Sequence, residues 1–285
     1  MSNHQYVLVD SGDGKKLEQF GPYLLARPCS QAVWKPQLSD KVWNDADASF
    51  SRDQDNKWIY RRELPQEWEI EAAGIRFKLS STDFGHLGIF PEQIPFWHWL
   101  QRTIASSVTS SFKPRVLNLF AYSGGSTLAA AKAGAVVCHL DASKGMVSWA
   151  RENAALNNLD KAPIRWIVED VKKFLQREIK RGSRYEAIIL DPPSFGRGTK
   201  GEIFKIEDSI ASLLQDCRTL LSDRPLFIFF SCHTPGFSPI VMQNLMQQTM
   251  NGVRGRIEMG DMILPAQKEV YAVPSGTFAR WESTL

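Results

Sequence analysis

In the C-terminal two thirds of this 285-residue chain, acids and glycines recur at the ends of short apolar runs. The first run closes on Phe120-Ala121-Tyr122-Ser123-Gly124-Gly125-Ser126-Thr127, a glycine turn that opens a helix. Glycines there let a ligand approach the backbone, and the free N–H groups of a helix start favour a polar or anionic group. The second run ends at Asp141, 17 residues beyond Gly124, where a carboxylate accepts hydrogen bonds from ribose hydroxyls. The third is followed by Glu169-Asp170, suited to an adenine amino group. The fourth ends in Asp191-Pro192-Pro193-Ser194-Phe195, where two prolines fix an extended exit that holds a carboxylate and an aromatic ring. Each feature has a plain alternative: a tight turn, a rigid strand exit or, for Asp170, a helix N-cap. In this order, at successive strand ends, they indicate an adenosine-containing cofactor.

The elements that position these residues follow from periodicity. Strands are predicted over 115–120, 136–141, 164–168, 187–190 and 226–231, with helices over about 125–133, 143–156, 171–181, 205–221 and 238–250. That alternation predicts an α/β domain with a parallel sheet covered by helices on both faces. Ligands of such sheets sit outside the carboxyl ends of the strands. Residues 269–273 and 277–281, separated by Pro274-Ser275-Gly276, are expected to form an antiparallel pair at the sheet edge. Upstream, residues 68–71 and 75–79 alternate around Ala72-Ala73-Gly74 as a β-hairpin. The predicted organisation is a small β-rich region over 1–80, a connecting helix at about 94–107 and linker over 81–113, and the catalytic domain over 114–285.

Composition narrows the class. Apolar residues make up 43% and charged residues 23%, which excludes disordered, collagenous and coiled-coil chains. The longest apolar run, Leu226 to Phe230, falls far below the ~20 residues that span a bilayer. With acids at Asp10 and Asp13 and no apolar leader, a cytoplasmic protein with no membrane partner is expected. Four cysteines without a CxxC pair and five histidines without ligand spacing predict no disulfide framework and no metal. The net charge is only +3, but residues 161–205 hold 11 Lys/Arg against 6 Asp/Glu, whereas residues 1–71 hold 9 against 12.

No G-x-G-x-x-G or G-x-x-x-x-G-K-[ST] pattern is present to hold a pyrophosphate, so a cofactor without phosphates fits better. LNLFAYSGG at 117–125, LDASKGMVSWARENAALN at 140–157, ILDPPSF at 189–195 and FSC at 230–232 resemble the class I S-adenosylmethionine-dependent methyltransferases. The nearest likeness is to bacterial large-subunit ribosomal RNA methyltransferases of the 5-methylcytosine and 7-methylguanine type and their relatives, over about 80–285. The resemblance implies S-adenosylmethionine as cofactor and a Rossmann-like seven-stranded sheet whose last strand is antiparallel. It implies that Asn118, Phe120, Ala121, Tyr122, Ser123, Gly124 and Gly125 hold the methionine moiety, and that Asp141, with Ala142 and Ser143, meets the ribose. Asp170 and Val171 would meet the adenine, while Asp191 and Pro192 face the methyl group and its acceptor. Gln93 is implied as a further cofactor contact. The RNA-binding module that opens the best-known members is not recognisable; an acidic, Trp-rich segment stands in its place.

Two acceptor chemistries stay open. Methylating cytosine C5 requires a nucleophile that adds to C6. Cys232, at the end of the fifth strand, is the candidate, with a small buried core residue as the alternative. Methylating a nitrogen needs only an aimed lone pair, which Asp191 would orient. Ser194 departs from the Asp/Asn-Pro-Pro-aromatic pattern of nucleic-acid N-methyltransferases. Pro193 and Phe195 are candidate substrate contacts, and Phe195 or Tyr122 would stack on a base freed from its own stack, core packing being the alternative for both rings. Arg197 and Lys200, with Lys172, Lys173, Arg177, Lys180, Arg181 and Arg184, are candidate phosphate contacts or a solvated face. The expected function is methylation of an RNA base, with ribosomal RNA the expected partner. Small-molecule or protein methylation and a non-methyltransferase nucleotide-binding protein are the alternatives.

Overall fold

The computed structural model describes residues 5–52, 56–197 and 203–284. The chain divides into two compact units, residues 1–95 with 263–275, and residues 96–262 with 276–285.

The first unit is built on a five-stranded sheet in sequential order: β1 (Tyr6–Gly12), β2 (Lys15–Phe20), β3 (Tyr23–Pro28), β4 (Ala48–Ser51) and β5 (Lys57–Tyr60), with the short helix α1 (Asp40–Asn44) between β3 and β4. β1 to β3 form an antiparallel meander, and β4 joins β3 in parallel. A register shift between Leu8 and Asp10 brings Asp10 and Ser11 both inward. Asp10 accepts hydrogen bonds from the N–H groups of Leu38 (2.9 Å) and Trp43 Nε1 (2.9 Å), so this buried acid organises the loop before α1. The predicted hairpin is present as β6 (Trp68–Ala72) and β7 (Ile75–Leu79). Its turn residues Ala73 and Gly74 both have positive φ, +51° and +69°, as a two-residue turn matched to strand twist requires. Residues 265–267 return along the outer edge of β1, Leu8 N donating to Pro265 O (2.8 Å) and Gln267 N to Leu8 O (3.1 Å).

The second unit begins with α2 (Ile94–Ser107), whose Phe96, Trp97, Leu100 and Ile104 form one buried stripe. The expected alternation follows: β8 (Arg115–Leu119), α3 (Gly125–Lys132), β9 (Val136–Asp141), α4 (Lys144–Leu156), β10 (Ile164–Val168), α5 (Val171–Lys180) and β11 (Ala187–Leu190). A small hairpin of β12 (Phe195–Arg197) and β13 (Ile203–Lys205) then leads to α6 (Ile206–Thr219), β14 (Phe227–Cys232), α7 (Pro239–Thr249), β15 (Gly255–Ile263) and β16 (Pro274–Ser283). The seven strands take the order β10-β9-β8-β11-β14-β16-β15. The four pairings from β10 through β14 are all parallel, whereas β16 runs antiparallel to β14. Strand order reverses between β8 and β11, which sets the cleft at their carboxyl ends.

One pairing differs from expectation. The partner of β16 is β15, at residues 255–263, and residues 269–273 are not a strand; β16 lies inside the sheet and β15 forms its edge. The physical reason is exposure. In GRIEMGDMI only Met262 is buried, so this edge strand lacks the apolar pattern that announces the others. No helix among the described residues is long and apolar enough to cross a membrane.

Candidate active site

The loop after β8 is the most constrained backbone at the carboxyl ends. Phe120 (φ +55°), Tyr122 (φ +50°) and Gly124 (φ +94°) are all left-handed. For Phe and Tyr this conformation is strained and persists only where the surroundings over-determine it. Here they do. Ala121 N donates to Leu140 O (3.0 Å), Tyr122 N to the Asp141 carboxylate (2.9 Å), and Asn153 of α4 donates to Ser123 O (2.9 Å) from a fully buried position.

Both glycines sit where a side chain would meet a neighbour. A Cβ on Gly125 would lie 2.2 Å from the Trp97 ring, and one on Gly124 would lie 3.0 Å from Ala150 Cβ. Trp97 Nε1 also donates to Ser126 Oγ (3.1 Å), fixing α2 against the start of α3. Asn118, expected to hold the methionine moiety, turns its amide inward: Nδ2 donates to Thr127 Oγ1 (2.9 Å), which also contacts His139 Nδ1 at 2.9 Å. Asn118 therefore braces the loop from below.

Asp141 is brought to the cleft as expected. Its Oδ2 accepts from Tyr122 N and its Oδ1 from Ser143 N (2.8 Å), so one carboxylate ties the β8 loop to the β9 exit. Burial raises its pKa, opposed by the Ser143 and Tyr122 N–H groups. Each oxygen carries one of these backbone bonds, which leaves acceptor positions for a vicinal diol. The residues present thus fit an adenosine ribose. Ala142 is half-buried and Ser143 exposed at the same exit, where the Ser143 hydroxyl caps α4 by accepting from Met146 N (3.3 Å). Asp170 is the N-cap of α5, accepting from Lys173 N (3.1 Å) through Oδ1. Its neighbour Val171 is buried. Glu169, the other acid considered for the adenine, is held by Arg177, whose Nη1 donates to Oε1 at 2.6 Å and whose Nη2 donates to Oε2.

β11 ends under buried Pro192 with the Asp191 carboxylate partly exposed. β14 ends beside it, and here the two adjacent residues part. Cys232 is 1% exposed within the core cluster that includes Met242 and Met246. Burial pushes its thiol up, and the Thr234 hydrogen bonds pull the other way, while the charges of Asp191 and Glu207 add to the rise. His233 faces Asp191 instead, Nε2 to Oδ1 being 3.5 Å. Sequence reasoning set His233 aside because it looked only for metal spacing. Ser194, the departure from the Asp/Asn-Pro-Pro-aromatic pattern, has its Oγ 2.7 Å from Thr234 Oγ1 and joins the two strand exits.

On the acceptor side, Pro193 is exposed and the Phe195 ring is 49% exposed on β12. Tyr122 and Phe120 are half-buried, and Phe120 packs against Phe204 of β13, ring centroids 5.4 Å apart. Arg197 closes β12; Lys200 lies outside the described residues. Several of the basic side chains have structural partners. Arg177 pairs with Glu169, Arg181 with Glu178 (3.1 Å), and Lys172 Nζ donates to Ser209 Oγ (2.9 Å). Gln93 belongs to the first unit, buried in a 3₁₀ turn over Pro91–Gln93. Among the described residues no cluster of His, Cys, Asp or Glu forms a metal site.

Comparison with known proteins identifies the family. A profile of S-adenosylmethionine-dependent methyltransferases matches residues 42–227. A crystal structure of an S-adenosylmethionine-dependent methyltransferase from Agrobacterium tumefaciens is 41% identical with a TM-score of 0.92, covering 98% of this chain and 90% of that one. The chain is 34% identical over 170 residues to ribosomal RNA large subunit methyltransferase K/L of Hahella chejuensis, covering 59% of this chain and 22% of that protein. It is 34% identical over 190 residues to ribosomal RNA large subunit methyltransferase I of Aeromonas salmonicida, covering 63% of this chain and 42% of that protein. The chain thus spans less than half the length of these two relatives.

Proposed function

The chain belongs to the S-adenosylmethionine-dependent methyltransferase family, and from that premise we propose that it methylates a base of RNA, with ribosomal RNA the first substrate to test. The observation that carries the reading is the exit of β11, where a partly exposed carboxylate, two prolines and a half-exposed aromatic ring follow one another in Asp191 to Phe195. A planar, hydrogen-bonding, stackable acceptor matches that sequence of groups. The names of the curated relatives support RNA as its source.

S-adenosylmethionine supplies an electrophilic methyl group when bound. Asp141 accepts the ribose hydroxyls and holds the β8 loop closed through Tyr122 N. Asp170 offers its second carboxylate oxygen to the adenine side while the first caps α5. Asp191 accepts a hydrogen bond from the base edge and so aims the acceptor lone pair. Phe195 stacks on the base once it leaves its own stack, which costs a few kcal/mol for a paired base. A nitrogen acceptor is the form of this reading that the burial of Cys232 favours, because a nucleophile for C6 must present its sulfur as thiolate to the base.

The test is transfer of labelled methyl from S-adenosylmethionine to ribosomal subunits and naked RNA from a strain lacking the protein, with protein and small-molecule fractions counted alongside. Label in RNA is expected. Asp191→Ala should lower the rate at least about a hundredfold, the usual scale for losing a proton-handling group, whereas Cys232→Ala should stay within about twofold. Label confined to protein or metabolites would reject RNA, and loss of activity in Cys232→Ala with cofactor binding intact would reject a nitrogen acceptor.

A further inference from the structure

We propose that His233 is a positioning residue for Asp191 and receives the proton released when the methyl group is transferred. The proposal rests on the reading of Asp191 as the residue that meets the acceptor. One residue after Cys232 enters the core, the chain turns His233 outward, Nε2 3.5 Å from Asp191 Oδ1. Distances of this kind are often long before substrate binds and tighten in the complex.

The place is built for an imidazole. Gly276 of β16 (φ +130°) faces it, and a Cβ there would fall 2.8 Å from His233 Nδ1 and 3.0 Å from Cys232 O. On the other side, Thr234 N donates to Cys232 Sγ (3.4 Å) and Thr234 Oγ1 meets Ser194 Oγ. The backbone is thus fixed on both sides of the pair. Stability alone does not account for it: with side chains 33% and 23% exposed, such a pair adds little to the folded state.

The chemistry has a use for it. The acceptor nitrogen's lone pair forms the new N–C bond, and the donor's S–C bond breaks with its electron pair left on sulfur. An acceptor that carried hydrogen now holds one proton too many. Asp191 takes that proton and His233 Nε2 receives it, the partly exposed ring releasing it to water. The pair therefore implies an acceptor that bears hydrogen, such as an amino group, rather than a bare ring nitrogen whose product keeps the positive charge. Of the titratable groups among the described residues, Asp191 faces His233, and its chain neighbour Cys232 senses the charges of Asp191 and Glu207; the facing part of β16 contributes the Gly276 backbone.

Two measurements test this on the full chain. The His233 imidazole is titrated by NMR without substrate in wild type and Asp191→Asn, and the pH dependence of kcat and KM is compared between wild type and His233→Gln. We expect the imidazole midpoint to fall when Asp191 is neutralised, since an opposite charge that favoured the protonated ring is gone. In His233→Gln we expect kcat to drop about a hundredfold with loss of the acid limb and with KM for cofactor within twofold. An unchanged midpoint in Asp191→Asn overturns the pair, and a wild-type rate and pH profile in His233→Gln overturns its role. If the wild type labels protein or metabolites instead of RNA, the RNA reading fails separately, and the same midpoint and profile on that substrate still decide for or against His233.

Discussion

His139 shows what a single buried side chain costs as conditions change. It is fully buried, its Nδ1 meets Thr127 Oγ1, and its Nε2 finds no hydrogen-bond partner among the described residues. Burial, helped by the charge of Arg151, pushes its pKa down to about 3. The folded state thus keeps the ring neutral where the unfolded chain protonates it below about 6.5. Because the folded value is the lower one, stability is lost as pH falls below the unfolded value, and the loss is complete only near 3. Between pH 6.5 and 5 this amounts to about 2 kcal/mol. Urea unfolding at pH 7 and pH 5 should show His139→Asn losing about that much less than wild type across the interval; equal losses would refute the assignment. At this scale the strand-end placement of Asp141, Asp170 and Asp191 was legible in sequence because it is local information. His233 was not, because its meaning comes from Gly276 on a strand far along the chain and from Asp191 on another. Asn118 and Cys232 were assigned by position too, and the fold turns both side chains inward.

The start of α3 is where two helices and a strained loop agree on one geometry. Gly125 allows Trp97 of α2 to lie against it, and Tyr122 stays left-handed under the hold of Asp141. Gly125→Ala should displace Trp97, cost about 1–3 kcal/mol by overpacking, and weaken S-adenosylmethionine binding about tenfold through the loop. Calorimetric titration of the cofactor checks this, and affinity within twofold of wild type would confine the glycine to packing. The parallel strands β8, β9, β11 and β14 were legible because burial on both faces makes them read as continuous apolar runs. The hairpin β6–β7 was legible for the opposite reason, its strict alternation of inward and outward residues. β15 obeys neither pattern, since an exposed edge strand is held by backbone pairing that leaves no mark on side-chain order.

The whole molecule holds two cores with different means of stabilisation. That of the second unit is apolar and contiguous. The first unit buries a charged set: Glu18 accepts from Arg27 Nε (2.7 Å) and Tyr6 OH (3.0 Å) and pairs with Lys16 (3.2 Å), while Arg27 also donates to Gly85 O (3.0 Å). Glu18 stays ionised because Arg27 and Lys16 more than offset its burial, its pKa lying below the usual carboxylate range. Glu18→Gln leaves a guanidinium underpaired in the interior and should cost about 3–5 kcal/mol. With every cofactor candidate except Gln93 in the second unit, cofactor affinity should stay within twofold; a thermal melt and a binding titration read the two effects separately, and an unshifted melt would refute the first. The first unit is also discontinuous in sequence, since residues 265–267 close the outer edge of β1. On a translating ribosome, β1 emerges about 250 residues before its covering segment. Until residues 265–267 are made, that edge offers unpaired amides to any neighbouring nascent strand, so the interval between the two syntheses is when this unit is most exposed to misassembly, and slowing translation between β1 and residue 265 should lower soluble yield.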